Sequence, residues 1–528
     1  MRINVPTRSG RPRLVSRLLR PGLPLALLAA TTPAWAAFGP ELPAIRQLHS
    51  GQAGHLDQKV LYDLVASGQR QAAFTEAFAH GDELFETVFN ALDGVGAFVT
   101  TGTRFTRVPR ADLTGPGEWE NHVPKRITGP NAQSCNACHA VPSDDGAGLT
   151  NSNVFRDPTH SGNMRMFIQR NTPPTFGLGP LQRLAEEMTD DLVSTRQAAR
   201  DDTCTNGGSV TRPLTTKGIG FGAIKVTRDA TNPCRWTVDT TGVVGVDGDL
   251  IVRPFQWKGS VGYIRAFNRD AAHNELGMQG VELVGENVDG DFDGVANELT
   301  VGDITALSVY LGAQPRPTTK LELEYLGLIP ALSSTEKTAI NRGQAVFGQV
   351  GCTACHTPRL SLDNPIFSEP SRSRFYRDRT FPAGQDPVAL WVDPARAVTF
   401  DLTRDQPDNQ VTDPAGRPYR LGSLQRDASG KAYLEPYGDL KRHDLGPQVA
   451  EPIKDDGIKE SVFMTENLWG VGSTAPYLHD GRATTLTEAI LAHGGEAAGS
   501  QRAFINLPLS DQQAVIAFLN NLVLFKKE

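Results

Sequence analysis

Two short motifs in the 528-residue sequence place thiols and imidazoles at the same spacing. Both read Cys-x-x-Cys-His, and they comprise Cys135, Cys138 and His139 and, further along the chain, Cys352, Cys355 and His356. Two thiols three positions apart can add to the two vinyl groups of one haem, and the histidine that follows can bind its iron. Zinc knuckles need no histidine after each cysteine pair, and a thioredoxin-type dithiol has none. The spacing therefore predicts two covalently bound haem c groups.

The first 36 residues have the pattern of a secretory signal peptide. Arginines precede the apolar run Leu23–Ala30, and Ala34-Trp35-Ala36 follows as a small-residue cleavage site. The apolar run is far shorter than the roughly 20 residues that a membrane-spanning helix needs. We therefore expect cleavage after Ala36 and a periplasmic mature chain, with no later segment that spans a membrane.

Export also bears on the two cysteines outside the haem motifs, Cys204 and Cys234. A stretch rich in Gly and Thr separates them. Disulfides persist in oxidising compartments, so a local disulfide that closes a loop is one reading. Two unpaired structural cysteines are the other, and the sequence leaves both open.

Length and composition describe an ordinary globular protein. The length suits two or three domains, and 39% apolar and 21% charged residues are usual for such chains. The net charge of −7 contains no basic block, which excludes nucleic acid as the expected partner. The 52 glycines and 36 prolines lie among aromatic and aliphatic residues, so they predict long ordered loops.

An internal repeat indicates two domains of one kind. Ser333 and Glu336 form a capping box ahead of a helix that leads to the second haem motif. Its segment Gly343–Phe347 is echoed by Gly81–Phe85, although the first haem motif follows only after an insertion. Near the C-terminus, Ser510 and Gln513 predict a cap for a closing helix over 514–524.

These elements predict a mainly α fold with two cytochrome c-like haem domains and long loops. The signal peptide covers residues 1–36, the first haem domain 37–320 and the second 321–528. Strand-like alternation of Thr, Val, Ile and Gly between residues 204 and 252 predicts a small β insertion in the first domain.

The motif Thr474–Arg482, which reads Thr-Ala-Pro-Tyr-Leu-His-Asp-Gly-Arg, carries a resemblance to a known family. It continues through Thr485–Ile490 to the His-Gly-Gly-Glu segment 493–496. Further matches lie at residues 170–174, 255–259, 274–279 and 297–307. The chain resembles the di-haem cytochrome c peroxidase and MauG superfamily, nearest the di-haem oxidoreductase (thiol oxidoreductase-like) branch.

For the C-terminal haem, the resemblance implies a second axial ligand fourteen places after the motif histidine. That histidine is His479, so the ligand is His493, and the haem would be ligated by His356 and His493. Two imidazoles favour ferric iron more than a His/Met pair does, so the resemblance implies a lowered potential. His479 itself is expected to support the site without binding iron. The alternative for His493 is a histidine on a surface helix.

For the N-terminal haem, bound by His139, the resemblance implies three further roles. His160 would be a reversible distal ligand, Glu275 would move a proton while an O–O bond breaks, and Trp257 would relay electrons between the haems. The alternatives are a loop histidine, a solvated loop carboxylate and a core tryptophan.

A second metal site is predicted by three alternating aspartates. The pattern is Asp289-x-Asp291-x-Asp293-Gly294, followed by Asn297. It matches the first half of an EF-hand-like calcium loop. The twelfth position is Thr300 where such loops have Glu, and Asp303 is a candidate late ligand. The alternative is a polar turn that caps a helix.

Together these features predict an exported, peroxidase-like di-haem oxidoreductase. Its C-terminal haem would pass electrons to a reactive N-terminal haem, with a small cytochrome c or copper protein as donor and a small-molecule oxidant. A non-catalytic electron-transfer cytochrome would have both irons saturated by protein ligands. A di-haem oxygenase resembling the rubber-cleaving enzymes would have a broad apolar channel. Thiol chemistry is weakly supported, because the two cysteines outside the haem motifs look structural.

Overall fold

The computed structural model describes residues 50–96, 107–113, 122–232, 235–412 and 416–526. The α-helices of these residues are α1 (Gln58–Ala66), α2 (Arg70–Glu86), α3 (Leu178–Asn206), α4 (Ile264–Ala271), α5 (Val281–Val284), α6 (Val301–Gly312), α7 (Lys320–Tyr325), α8 (Ser334–Gln349), α9 (Leu486–Ala492), α10 (Ala498–Ile505) and α11 (Leu509–Leu519). A π-helical turn, Ala272–Leu276, continues α4 without a break.

The strands of the described residues are short. They are β1 (Val154–Arg156), β2 (Ile168–Arg170), β3 (Ser209–Thr216), β4 (Ile219–Arg228), β5 (Trp236–Asp239), β6 (Thr318–Thr319), β7 (Leu360–Leu362), β8 (Ile366–Glu369), β9 (Val398–Asp401), β10 (Gln410–Thr412), β11 (Pro418–Arg420), β12 (Gln425–Arg426), β13 (Ala432–Leu434), β14 (Arg442–Asp444), β15 (Val462–Met464) and β16 (Leu522–Val523). They pair into antiparallel sheets of two or three strands, such as β3-β4-β5 and β12-β13-β7.

The chain is therefore mixed, and the prediction of a mainly α fold is confirmed only in part. Among the described residues, helices of all types account for 35% and strands for 16%. The β insertion predicted between residues 204 and 252 is present as the sheet β3-β4-β5. Val226 in its central strand pairs with Val210 on one side and Val238 on the other. Long loops separate most of the remaining elements.

The two halves of the sequence repeat form matching helix pairs. Helix α2 crosses α6, and a Cβ at Gly81 would lie 2.3 Å from the Ala306 carbonyl oxygen. Helix α8 crosses α11, and a Cβ at Gly343 would lie 1.8 Å from the Ala514 carbonyl oxygen. Only glycine permits such close backbone approach, so the repeated glycine is what brings each helix pair together.

Side-chain caps fix the start of three helices near the predicted sites. Ser333 and Glu336 form the predicted capping box of α8. Thr300 and Asp303 form a second box at α6, and Thr485 begins α9 in the same way. The predicted closing helix is present as α11, but its predicted cap and bounds were wrong. Helix α11 begins at Leu509 after Pro508, without a side-chain cap, and ends at Leu519 before strand β16.

Two large groups of buried apolar side chains hold the elements together. The first includes Phe74, Leu184 and Val309 from the N-terminal half, and also Leu362 and Phe367 from β7 and β8. The second joins α8, α9, α10 and α11 beneath the second haem motif. The first group thus draws on both sides of residues 320 and 321, and a domain boundary there stays a prediction.

The predicted signal peptide lies outside the described residues. Within the described part of the chain, no helix is long and apolar enough to cross a membrane.

Candidate functional site

The two Cys-x-x-Cys-His motifs fold in the same way. Each starts with a short 3₁₀ turn, Cys135–Ala137 or Cys352–Ala354. In both, the backbone N–H of the histidine donates to the carbonyl of the first cysteine, at 3.1 Å for His139 and 3.0 Å for His356. This turn directs the two sulfurs and the imidazole of one motif into a single cavity, as covalent haem attachment requires.

Each motif lines a cavity of its own. We call the cavity at Cys135, Cys138 and His139 the N-terminal cavity, and the one at the second motif the C-terminal cavity. Counted together with their openings, they contain about 1310 and about 1660 Å³ of space free of protein atoms. Neither cysteine pair forms a disulfide. Among the described residues, no group of potential metal ligands contains two cysteines, so a shared zinc site is not formed.

In the C-terminal cavity, His493 faces His356. The ring centroids of the two imidazoles lie 6.4 Å apart. An imidazole nitrogen binds a metal ion at about 2 Å, and adding the ring radius on either side gives a centroid separation of about 6 Å. The pair is therefore spaced for one metal ion between two imidazoles. His493 is the C-cap residue of α9, so the end of that helix sets its position.

Hydrogen bonds leave the correct nitrogen of each imidazole available. Nδ1 of His356 donates to the Tyr437 carbonyl at 2.9 Å, and Nδ1 of His493 donates to the Ala489 carbonyl at 2.8 Å. Each ring then keeps its lone pair on Nε2. Burial lowers the pKa of His356 to about 4 and also lowers the pKa of His493, so both rings are neutral. Two neutral, oriented imidazoles fit haem iron.

The N-terminal cavity offers one such imidazole. Nδ1 of His139 donates to the Gly146 carbonyl at 3.2 Å, and burial lowers its pKa to about 4. Among the described residues that line this cavity, no second histidine, methionine or tyrosine is present. Glu275 and Asn274, from the π-helical turn, supply polar groups in its place. Within the described lining, the iron at this site would have one protein ligand.

Glu275 lies in the wall of the N-terminal cavity. Its Oε2 accepts a 2.5 Å hydrogen bond from Asn131, and its backbone carbonyl accepts from the N–H groups of Asn131 and Ala132. Burial raises the pKa of Glu275 to about 7, against the lowering effect of the Asn131 hydrogen bond. A carboxyl group with that pKa can both accept and return a proton near neutral pH. π-Helical turns occur often at functional sites, and this one aims the side chain.

His160 does not line the N-terminal cavity, and the predicted role as a distal ligand finds no support there. Its Nε2 donates to the backbone carbonyl of Arg126. The residue lies in a turn with a φ of 48°, in the left-handed region.

The two cavities share a wall. Trp257, Asn171, Thr172 and Pro173 line both of them. The indole N–H of Trp257 donates to the Asn171 carbonyl at 2.9 Å, which fixes the ring in this wall. The structure thus places Trp257 between the two haem motifs, where the resemblance located an electron relay.

His479 lies beside Trp257 in the C-terminal cavity. Its ring stacks on Phe463 with centroids 4.3 Å apart and meets Trp257 edge-on at 6.5 Å. Its backbone carbonyl accepts from the Asn171 N–H at 2.7 Å. Burial lowers the pKa of His479 to about 3. These contacts make it a neutral wall residue that supports Trp257.

Sequence reasoning missed a buried ion network next to the shared wall, two members of which, Arg156 and Arg170, line the N-terminal cavity. Arg156 and Arg170 each pair with Asp455, at 2.7 and 2.9 Å. Arg170 also pairs with Glu451, which lies 3.0 Å from the Lys258 ammonium. Arg170 and Lys258 fall inside the motifs that carried the resemblance, but the two acidic partners are nearly 200 or more positions away and carry no local signal.

A second missed group borders the C-terminal haem motif. Nε2 of His443 lies 2.9 Å from Asp439, and its Nδ1 lies 2.8 Å from Glu496 and 4.0 Å from the Cys355 sulfur. Burial alone would lower the pKa of His443, but the bonds to these partners raise it to about 10. The C-terminal cavity therefore has an imidazolium in its wall at neutral pH.

The predicted calcium loop brings three carboxylates together. Oxygens of Asp289, Asp291 and Asp293 lie within 4.8 Å of one another. The neighbouring Glu298 is only 2% exposed, and its Oε1 has no hydrogen-bond partner. Burial, followed by the charges of Asp291 and Asp293, raises the pKa of Glu298 well above its usual value. The structure thus places the buried Glu298 near Asp291 and Asp293, outside the group of three clustered carboxylates.

Two other residues of the calcium prediction have hydrogen-bond partners of their own, and for Asn297 the role stays a prediction. Asn297 pairs with Asn287 through its side-chain oxygen and nitrogen, at 2.6 and 3.0 Å. Asp303 accepts hydrogen bonds from His55, His80 and the Leu56 N–H, as well as capping α6. Asp303 is therefore a structural anchor and not a calcium ligand.

The predicted pair Cys204 and Cys234 stays a prediction. Cys204 lies near the C-terminal end of α3, and Cys234 lies outside the described residues.

Comparisons with known proteins agree with the motif analysis. Residues 422–522 match the family described as "Di-haem oxidoreductase, putative peroxidase". This segment contains His443, His479 and His493. No curated protein sequence matches the chain. Among solved structures, the chain is similar to a MauG-like protein associated with microbial copper homeostasis, with 15% identity and a TM-score of 0.25 over 56% of this chain and 78% of that one.

The family match thus confirms the resemblance to di-haem oxidoreductases for the C-terminal segment, residues 422–522. The match supports haem cofactors and a di-haem redox function.

Proposed function

We propose that the chain is an exported di-haem oxidoreductase of the peroxidase type, which reduces hydrogen peroxide with electrons from a small redox protein. One peroxide molecule would take up two electrons and two protons and give two water molecules. The observation that carries the proposal is the wall of Trp257 and Asn171 common to the two cavities. It connects a cavity with two opposed imidazoles to a cavity with one.

Covalently bound haem would supply the iron and its redox chemistry. Cys135, Cys138 and His139 would hold one haem in the N-terminal cavity. The second motif would hold the other haem in the C-terminal cavity. His356 and His493 would both bind the C-terminal iron, which leaves that site to store and transfer electrons. The guanidinium groups of Arg156 and Arg170, which line the N-terminal cavity, suit the carboxylates of haem propionates.

Glu275 would manage the protons of peroxide reduction. In its ionised form it can accept a proton from peroxide as the substrate enters the N-terminal cavity, and it can return that proton to the departing oxygen. The pKa near 7 suits both steps. Asn131, which donates to Glu275, would hold the carboxylate in place between the two steps.

The competing readings fit these observations less well. A plain electron-transfer cytochrome would have two saturated irons, whereas the described lining of the N-terminal cavity contains only His139 as an imidazole ligand. An oxygenase for apolar polymers would have no evident use for the ionisable side chains of Asp270 and Glu275, which stand in the otherwise mainly apolar lining of this cavity.

Three finer points belong to the same proposal. The arginine-rich leader within residues 1–36 would direct export to the periplasm. There, a small cytochrome c or copper protein is a suitable electron donor. A calcium ion held by Asp289, Asp291 and Asp293 would neutralise these carboxylates and the nearby Glu298. The cation described next to this acidic group is Arg126, 2.7 Å from Asp291.

The proposal is tested by mixing the purified holoprotein with peroxide and a reduced small cytochrome c. We expect two donor molecules to be oxidised for each peroxide consumed. Trp257→Phe should slow reoxidation of the C-terminal haem while leaving the first reaction with peroxide unchanged. The matched control is Trp469→Phe, because Trp469 lines the C-terminal cavity but not the N-terminal one. Absence of any reaction of either haem with peroxide would refute the proposal.

A further inference from the structure

Behind the N-terminal cavity lies a tyrosine whose surroundings suit oxidation. Tyr310 belongs to α6 and is 0% exposed. Its helix neighbours Leu307 and Leu311 line the cavity, whereas Tyr310 lies one layer behind them. The phenol is therefore close to the haem site but shielded from it and from solvent.

Aromatic rings connect Tyr310 to the haem motif. The ring of Tyr310 lies 5.6 Å from the ring of Phe85, centroid to centroid, and Phe85 lies 5.8 Å from His139. Phe85 itself lines the cavity. Two ring contacts thus separate the phenol from the imidazole that would bind the iron.

The phenolic hydroxyl has a buried carboxylate as its acceptor. It donates to Oδ2 of Asp145 at 2.8 Å, and Asp145 is also 0% exposed. The Lys526 ammonium lies 2.7 Å from the same oxygen and 2.8 Å from Asp144. Burial raises the pKa of Asp145 to about 6 although Lys526 lowers it, so at neutral pH the group is mostly ionised and able to take up a proton.

This arrangement matters because a phenol loses its proton when it loses an electron. A buried phenol without a base nearby would be left as a cation in an apolar medium, which is costly. Tyr376 provides the contrast within the same chain. It is 1% exposed, but its hydroxyl bonds to Thr189 and to backbone carbonyls, none of which can accept the proton.

We propose that Tyr310 is a redox-active residue that gives one electron to the N-terminal haem after peroxide has oxidised it, while its phenolic proton moves to Asp145. The phenol O–H bond breaks and a carboxyl O–H bond forms. The products are a neutral tyrosyl radical, a protonated Asp145 and a haem site reduced by one electron. The next electron from the donor protein restores Tyr310 as Asp145 returns the proton.

The inference deepens the proposed peroxidase function and rests on it, so the experiment has two arms. In the first, the holoprotein is mixed with hydrogen peroxide without a donor, frozen within seconds and examined by electron paramagnetic resonance. In the second, photoexcited ruthenium tris-bipyridine with a sacrificial acceptor oxidises the protein without peroxide. Both arms compare the unaltered protein, Tyr310→Phe and Tyr376→Phe.

We expect a tyrosyl signal that Tyr310→Phe removes and Tyr376→Phe retains in both arms. If Tyr310→Phe removes the signal only in the photochemical arm, Tyr310 is redox-active but peroxide is not its oxidant. Equal signals in all three proteins, or no signal in either arm, would overturn the inference. Asp145→Asn should lower the radical yield, and an unchanged yield would exclude Asp145 as the proton acceptor.

Discussion

The imidazole of His493 lies opposite that of His356, with 6.4 Å between ring centroids, and both Nδ1 atoms donate to backbone carbonyls. This geometry fixes the open nitrogen of each ring toward the space between them. It is the arrangement expected of two axial ligands on one iron.

The first prediction concerns His493→Ala. The substitution should convert one of the two haems from low spin to high spin and raise its potential, because one imidazole ligand is lost. Optical and electron paramagnetic resonance spectra of the oxidised protein measure the change. His479→Phe is the matched control, since His479 lines the same cavity but stacks on Phe463. An unaltered spectrum for His493→Ala would exclude it as a ligand.

The second prediction concerns the pH dependence of peroxide reduction. Because the ionised form of Glu275 accepts the proton, kcat/KM for peroxide should rise with pH and level off above about pH 7. In Glu275→Gln this rise with pH should disappear, and kcat/KM above pH 7 should fall by about 100-fold or more. In Asn131→Ala the rise in kcat/KM should occur at higher pH, because the Asn131 hydrogen bond lowers the Glu275 pKa. If kcat/KM still rises with pH in Glu275→Gln, another group is responsible for the titration.

Local patterns predicted the parts of the site that neighbouring residues determine. The turn that places the two cysteines and His139 depends on five consecutive residues, and the capping box at Ser333 depends on four. The glycine of the repeat, at Gly81 and Gly343, was visible because the same close helix approach occurs twice. Such features need no knowledge of distant contacts.

Contacts between distant segments decided the rest. The direction of His160 depends on a left-handed turn and on the Arg126 carbonyl, neither of which its spacing from the haem motif reveals. The role of Asp303 depends on His55 and His80, which lie more than 200 positions away. The partners of Arg170 were hidden for the same reason.

The third prediction tests Asp303 as a structural anchor. Asp303→Asn should lower the free energy of unfolding by roughly 2–4 kcal/mol, because His55, His80 and two backbone N–H groups lose a buried carboxylate. Burial would raise the Asp303 pKa, but the bonds from His55 and His80 lower it to about 2, against 3.8 in an unfolded chain. Its contribution to stability is therefore present above pH 3.8 and is lost as the pH falls through 2.

Urea unfolding measured between pH 2 and pH 7 checks this prediction. Asp63→Asn is the control, since Asp63 forms an exposed ion pair with Lys59 whose loss should leave stability unchanged within error. If Asp303→Asn unfolds at the same urea concentration as the unaltered protein at neutral pH, Asp303 is not an anchor.

The fourth prediction tests the calcium site. Calcium at 100 times its dissociation constant should stabilise the fold by about 2.7 kcal/mol, and chelation should remove that gain. Glu298→Gln should weaken calcium binding, because it removes a carboxyl group near Asp291 and Asp293 whose ionised form a bound cation would favour. Thermal unfolding with calcium or with a chelator, together with titration calorimetry, measures both effects. Asn297→Ala should leave calcium affinity unchanged, since Asn297 pairs with Asn287. A melting temperature indifferent to calcium, with no heat of binding, would instead identify the loop as a polar turn.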